Sequence, residues 1–194
     1  MGIDERIDEV AWALFAQHGY ARVTMDDLAA ALGISKKTLY NAIPGKAELL
    51  HRLVQARLEE AAAETAALVD NPDLSSAEKL RGLPRYALSQ LGAVQPVLLE
   101  DIRRLAPDTW ALIEAARDRL IADRVGAVIR AGMASGDLRA DLDPEIVQTV
   151  FYDSLRGVIT GALPLTDPLR FARLLETTMD LLLHGLLTHE GASS

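Results

Sequence analysis

The sequence contains no cysteine among its 194 residues. This absence excludes disulfides, thiol nucleophiles and thiolate metal sites. Aromatic residues make up only 5% of the chain, which disfavours a broad ligand pocket caged by aromatic side chains. No apolar run approaches the ~20 residues that a membrane-spanning helix needs, and the charged start lacks the apolar block of a signal peptide. We therefore expect a cytoplasmic protein without a membrane partner.

Positive charge is also scarce, because 20 Lys and Arg residues face 28 acids and leave a net charge of −8. At first sight such a balance argues against a nucleic-acid partner. Binding depends, however, on where the positive charges lie rather than on their sum. The lysines of the first 50 residues cluster between positions 36 and 46. Any contact with DNA would be made by this local patch.

The composition is that of a folded protein, with 49% hydrophobic and 25% charged residues. Nearly every segment shows helical periodicity, and no stretch alternates in the β-branched pattern of strands. The sequence predicts an all-α fold of about nine helices. A three-helix N-terminal helix-turn-helix domain is expected over residues 1–46, followed by an all-helical domain over residues 47–194.

Capping residues and helix breakers set the predicted boundaries. Gly19 closes the first helix, and Thr24 with Asp27 resembles a capping box for a helix through Leu32. Ser35 is a natural N-cap for a third short helix through about residue 42. Later caps and prolines predict helices at about 46–69, 75–94, from 96, 107–134, 144–163 and 168–188.

Residues 24–46 satisfy the physical requirements of a helix-turn-helix. A short first helix, a turn at Gly33-Ile34 and a second helix with a polar outer face follow one another. The second helix begins with polar residues, at the end that usually reaches base edges in the major groove. The side predicted to be buried consists of Leu28, Ala29, Leu32, Ile34 and Leu39.

Over residues 7 to 50 the sequence resembles the TetR family of repressors. The matching positions, at the family's spacing, are Leu28-Ala29, Leu32-Gly33, Ser35, Thr38-Leu39-Tyr40, Lys46 and Glu48-Leu49. The resemblance implies that Lys36 and Lys37 face the bases, and that Lys46 binds a phosphate aided by its helix dipole. It further implies phosphate contacts by Thr24, Thr38 and Tyr40. The full set of predicted DNA contacts is Thr24, Ser35, Lys36, Lys37, Thr38, Tyr40, Asn41 and Lys46.

Three positions depart from the family pattern. The family usually has an aromatic residue where Ile43 stands and a bulky polar or aromatic residue where Ala42 stands. Ile43 can still fill the core, whereas Ala42 gives up a phosphate contact. Asp26 lies in the first turn of the second helix, where it stabilises the helix N-terminus but repels phosphate, so it is not a predicted contact.

The resemblance implies that the C-terminal two-thirds bind a ligand and form a homodimer on a pseudo-palindromic operator. The effector is expected to be lipophilic, and the pocket to lie among the middle helices. Its candidate residues are Leu83, Tyr86, Leu99, Ile102, Arg103, Trp110, Ile113, Phe151 and Tyr152. The last two helices are apolar on more than one face, which favours a dimer interface. The candidates there are Val147, Val150, Ser154, Val158, Leu175, Met179, Leu182, Leu183 and Leu186; alternatively, both helices serve only the subunit's own core.

Catalysis has no positive support in the sequence. The four histidines lack a paired metal-ligand spacing, and no glycine-rich phosphate loop or nucleophile elbow is present. We therefore predict no catalytic residues, no metal site and no cofactor. The alternative to a repressor is an adaptor of the same fold that acts through protein–protein contacts. Salt-sensitive DNA binding that depends on Lys36, Lys37 and Lys46 distinguishes the two.

Overall fold

The chain is described here by a computed structural model that covers residues 2–83, 96–160 and 168–187. Within these ranges the chain is helical, and the only pairing of extended residues is an isolated antiparallel bridge between Leu138 and Leu187. The predicted all-α fold class is confirmed. No helix in the described ranges is both long and apolar enough to cross a membrane.

The helices are numbered α1 to α10 along the chain. Residues 76–83 form the described part of α5, and a π-helical turn, Leu120–Val125, joins α7 to α8. The other helices are α1 Ile3–His18, α2 Met25–Leu32, α3 Lys36–Ala42, α4 Lys46–Asp70, α6 Pro96–Leu105, α7 Pro107–Arg119, α8 Gly126–Ser135, α9 Pro144–Thr160 and α10 Pro168–Leu186.

The helix-turn-helix boundaries agree with the local signals in the sequence. The Thr24 N–H donates to Asp27 Oδ2 at 2.9 Å, and the Asp27 N–H donates to Thr24 Oγ1 at 3.2 Å, which completes the capping box of α2. Gly33 ends α2 in the left-handed conformation, with φ 66°. Ser35 Oγ accepts the Thr38 N–H at 3.1 Å and so caps α3.

The helix predicted over 107–134 contains an unpredicted π-helical turn. Within it, the carbonyl of Ala122 accepts a hydrogen bond from Gln148 Nε2 of α9 at 3.0 Å. Gly126 follows the turn, and a Cβ there would lie 2.5 Å from Gln148 Oε1. A side chain at position 126 would therefore displace the Gln148 amide from this contact.

The structure divides into two compact units. The N-terminal unit lies within residues 1–61 and 91–116, and the C-terminal unit within 62–90 and 117–194. The N-terminal unit thus extends beyond residue 46, because the start of α4, α6 and most of α7 belong to it. The division of function at residue 46 remains a prediction.

One core joins the helix-turn-helix to α6. Phe15 of α1, Leu28 of α2, Leu39 of α3 and Leu98 of α6 are completely buried, and Ile102 of α6 is nearly so. Burying one such side chain stabilises the fold by about 1.5–3 kcal/mol. Ile43 is buried in the same core, so it fills the position where an aromatic residue is usual. The helix-turn-helix is therefore packed on a larger scaffold than its own helices.

The turn between α1 and α2 is fixed by a buried carboxylate of α6. Asp101 is only 5% exposed, and its Oδ2 accepts the Ala21 N–H at 2.7 Å. Gly19 opens this turn with φ 84° and ψ 159°, a conformation that essentially only glycine adopts. A Cβ at Gly19 would lie 2.8 Å from the same Asp101 oxygen. The turn and α6 can approach this closely only with glycine at position 19.

In the C-terminal unit the apolar faces of α8, α9 and α10 form a second core. Ile129, Phe151 and Leu183 are fully buried there. A Cβ at Gly132 of α8 would come within 2.7 Å of Ser76 Cβ and of Leu138 Cγ, so α8 packs closely on both. The backbone of Arg139 donates to the Leu186 carbonyl at 2.8 Å and ties the end of α10 to this core.

We predict that Gly19→Ala lowers the free energy of unfolding by about 3 kcal/mol, because it combines a glycine-only backbone conformation with a steric conflict. Gly33→Ala should cost about 1 kcal/mol, since that left-handed site has no neighbouring atoms within 4 Å. Urea unfolding of both variants checks this order. Gly45→Ala, at an open site, is the matched control. Equal losses at positions 19 and 33 would contradict the close contact with Asp101.

We also predict that Asp101→Ala destabilises the protein by about 1–3 kcal/mol, because the Ala21 N–H loses its acceptor. Asp101→Asn should cost less, since the amide oxygen can still accept this hydrogen bond. Thermal and urea unfolding measure both. An Asp101→Ala variant as stable as the wild type would show that the contact contributes nothing.

Candidate nucleic-acid interface

The candidate interface is the outer surface of α3 together with the N-terminus of α2. Leu39 is the one buried residue of α3 and anchors the helix in the core. The side chains predicted to contact DNA are exposed around it: Lys36, Lys37, Thr38, Tyr40 and Asn41. Tyr40 is 50% exposed, which is unusual for a large aromatic residue on a short polar helix. The surface therefore offers ammonium, hydroxyl and aromatic groups side by side.

The two adjacent lysines differ in their electrostatic surroundings. Lys36 Nζ lies 2.5 Å from Asp26 Oδ2 of α2, and the hydrogen bond to this carboxylate raises the pKa of Lys36. Lys37 has no ion-pair partner in the part of the chain that the structure describes. One ammonium of the patch is thus neutralised locally, while the other faces solvent uncompensated.

The hydroxyl groups of the predicted contacts already serve the helix caps. Thr24 Oγ1 donates to Asp27 Oδ2 at 2.7 Å, and this bond, with that of the Thr24 N–H, lowers the pKa of Asp27. Ser35 Oγ and Thr38 Oγ1 lie 2.8 Å apart, with one donating to the other. These bonds fix the helix ends that would approach the phosphates. Phosphate contacts by Thr24, Ser35 and Thr38 remain predictions.

Lys46, at the start of α4, has an intramolecular role that the sequence did not suggest. Its Nζ donates to the carbonyls of Tyr20 at 2.9 Å and Val23 at 2.8 Å, and lies 4.2 Å from the centroid of the Tyr20 ring. Partial burial lowers the pKa of Lys46, and the nearby charge of Asp101 opposes this effect. An ammonium has three N–H donors, so one is left for another acceptor. The predicted phosphate contact of Lys46 is compatible with this geometry and remains a prediction.

Two acids were not among the predicted site residues although they shape this surface. Asp26 was set aside because it repels phosphate, yet it contacts the predicted base-facing Lys36. Asp101 lies 80 positions from the backbone N–H that it binds, and no local pattern marks such a pair. The proximity of Asp26 to α3 could have been inferred from the motif geometry; the contact of Asp101 could not.

The predicted ligand residues are spread over both units. Ile102 lies in the core of the N-terminal unit, with Trp110 and Ile113 packed against it. Arg103 is exposed and forms an ion pair with Glu100 at 2.7 Å. The remaining members of the set are placed as follows: Leu99 is half-buried in the N-terminal unit, Leu83 and Phe151 are buried and Tyr152 is half-buried in the C-terminal unit, and Tyr86 lies outside the described residues. Their role as ligand contacts remains a prediction.

No cluster of acids and histidines in the described ranges could hold a metal ion.

The predicted dimer residues fall into two groups. Six are buried within the subunit: Val147, Val158, Leu175, Met179, Leu183 and Leu186. Ser154 and Leu182 are half-buried, and Val150 is exposed. Among the side chains that the structure describes on these two helices, the most exposed apolar ones are Ile146 and Leu181, which the prediction omitted. The omission has a simple cause, since periodicity shows how wide an apolar face is but not which part of it the subunit itself covers.

Comparison with known proteins gives a family match in the N-terminal part of the chain and similarity to individual regulators over a longer range. Residues 7–53 match the family model of the bacterial regulatory proteins, tetR family. YvaF of Bacillus subtilis, an uncharacterized HTH-type transcriptional regulator, is 26% identical over 192 residues, which cover 99% of this chain and 100% of YvaF. KstR2 of Mycobacterium tuberculosis, an HTH-type transcriptional repressor, is 27% identical over 149 residues, covering 75% of this chain and 74% of KstR2.

The fold comparison extends over nearly the whole chain. A transcriptional regulator from Saccharomonospora viridis superimposes with a TM-score of 0.72 at 23% identity, covering 96% of this chain and 98% of the other. At this identity the likeness shows a shared fold. The family match lies on the helix-turn-helix, and full-length similarity to a regulator accompanies it. Residues 7–53, which contain α2 and α3, therefore match the bacterial regulatory proteins of the tetR family, and the whole chain is similar in sequence to an HTH-type transcriptional regulator.

Proposed function

We propose that the protein is a homodimeric repressor that binds a pseudo-palindromic operator through α3 and is released by a small molecule. The observation that carries this proposal is the start of α3. There, a single buried leucine anchors a capped helix; apart from the half-buried Ala42, its remaining side chains are exposed and are basic or polar. Such a helix has little to bury against its own subunit. Its exposed N-terminal end suits contact with base edges in a major groove.

The dimer proposal rests on apolar side chains that the subunit leaves uncovered. Ile146 and Val150 are one turn apart on the outer face of α9, and both are at least half exposed. Leu181 of α10 is 72% exposed. Neighbouring exposed apolar side chains, such as Ile146 and Val150, favour an interaction surface. A two-fold dimer through α9 and α10 would present two α3 helices to successive major grooves, ~34 Å apart or somewhat more.

The effector proposal rests on the relatives and on the aliphatic character of the C-terminal unit. KstR2 is described as a ketosteroid transcriptional regulator, which favours a lipophilic effector. The Saccharomonospora viridis protein was solved in complex with choline, a polar cation, which favours a small-molecule effector but not a lipophilic one. We propose a lipophilic small molecule for this chain, in keeping with its low aromatic content. Such a molecule weakens operator binding only by its differential affinity for the two conformations of the dimer.

The decisive experiment selects bound fragments from a genomic DNA pool and measures affinity for the selected sequence across a salt series. We expect a short inverted repeat whose affinity falls steeply as salt rises. Lys36→Ala/Lys37→Ala should weaken this binding by at least about tenfold, because a base contact and a phosphate-facing charge are lost together.

The matched control is Arg130→Ala/Arg173→Ala, which removes the same charge from exposed positions of α8 and α10. It should leave affinity for the operator nearly unchanged. A folded protein that enriches no sequence, and binds DNA equally well with and without the two lysines, would instead favour the adaptor. Native mass spectrometry of the starting sample excludes an inducing ligand that was already bound.

The dimer surface is tested by Val150→Glu, which places a charge on the exposed apolar face of α9. We expect a dimer-to-monomer shift in sedimentation and a loss of operator affinity with little change in helical content. Ala63→Glu adds the same charge to an exposed position of α4 and should leave the dimer intact. A Val150→Glu variant that remains dimeric at low micromolar concentration would place the interface elsewhere.

A further inference from the structure

The contact between Lys36 and Asp26 is the least expected feature of the DNA-facing surface. Lys36 Nζ and Asp26 Oδ2 lie 2.5 Å apart, and their side chains are 61% and 60% exposed. Exposed ion pairs of this kind contribute little to stability. Folding alone therefore gives little reason to place a carboxylate beside a base-facing lysine.

The pair divides the basic patch into two different kinds of charge. Lys36 with Asp26 is neutral overall, whereas Lys37 carries its charge without an acidic partner in the described residues. Affinity for DNA of any sequence comes mainly from counterions that are released when cations neutralise phosphates. Lys37 is free to neutralise a phosphate and release a counterion, whereas Lys36 can do so only if it leaves Asp26.

The geometry around Lys36 suits contact with a base. Of its three N–H donors, one is occupied by Asp26 and two remain. A guanine presents two acceptors, O6 and N7, at its edge in the major groove. A lysine held in place by a carboxylate loses less side-chain freedom when it binds that edge.

We propose that Asp26 is a positioning residue that sets DNA specificity through Lys36, by holding its ammonium for contact with a base and withholding its charge from phosphates. The proposal rests on the proposed function, since it requires α3 to face DNA bases. It gives a role to an acid that repels DNA in general, because the same repulsion lowers affinity for unrelated sequences. Specificity is the difference between the affinity for the operator and the affinity for unrelated DNA, and Asp26 affects both affinities.

The test is a double-mutant cycle of Asp26→Asn and Lys36→Ala, in the full-length protein, on two duplexes of equal length. One duplex carries the selected operator and the other an unrelated sequence. We expect Asp26→Asn to tighten binding to the unrelated duplex by about threefold at a fixed salt concentration, because the released Lys36 can then neutralise one more phosphate. Operator affinity should rise less or fall, so the ratio of the two affinities decreases.

In the Lys36→Ala background, Asp26→Asn should change both affinities by the same factor, because its partner is gone. The salt dependence gives a second readout. Lys37→Ala should lower the slope for the unrelated duplex by about one unit, whereas Lys36→Ala should hardly change it. Asp4→Asn removes an exposed acid of α1 without a lysine partner in the described ranges, and should leave the affinity ratio unchanged.

Equal effects of Asp26→Asn on both duplexes, in both backgrounds, would reduce Asp26 to a general source of repulsion and overturn the proposal. Urea unfolding curves with unchanged midpoints verify that the variants are folded. Failure of the proposed function has a different signature. There the wild-type protein itself would show no preference between the two duplexes, and both proposals would fall together.

Discussion

The turn that leads into α2 is bound by two charged side chains from separate helices. Lys46 of α4 donates to two of its carbonyls, and Asp101 of α6 accepts its N–H at Ala21. The ammonium of Lys46 binds backbone carbonyls, and the carboxylate of Asp101 binds a backbone N–H. The turn therefore supplies hydrogen-bond partners to two charged groups that are partly removed from water. Thr24, the N-cap of α2, comes immediately after this turn. The positions of α2 and α3 therefore depend on both α4 and α6. Glycine at position 19 makes this approach possible.

With a net charge of −8, the proposed DNA binding would act against the protein's own long-range field. The acids nearest the candidate interface are therefore important individually. Asp27 is occupied by the cap of α2, and Asp26 by Lys36. Within the screening distance of about 8–10 Å, these local pairs outweigh distant charges. Under the proposed function, the uncompensated charge of Lys37 would attract phosphate, and short-range contacts with bases would distinguish sequences.

The elements that could be predicted from the sequence are those whose interactions span a few residues. Thr24, Asp27 and Ser35 were identified as caps because each acts within three positions, and the structure contains those hydrogen bonds. The contact of Asp101 with Ala21 joins residues 80 positions apart, and no periodicity marks it. The π-helical turn after α7 is not predicted for a similar reason, since one of its carbonyls, that of Ala122, accepts a hydrogen bond from Gln148 of another helix. The apolar faces of α9 and α10 were found, but tertiary packing decides which part of each face stays exposed.

The family signal is confined to residues 7–53, although similarity to YvaF extends over 99% of the chain. A physical reason lies in the constancy of the target. The width of the major groove varies little among B-form operators, so the lengths, caps and core of a helix-turn-helix are restricted to a few solutions. Effectors share no such dimension, and a pocket can change its lining while the helices around it keep their packing. The chemistry of the proposed effector must therefore be established from the side chains of this chain itself, and the family resemblance cannot replace that evidence.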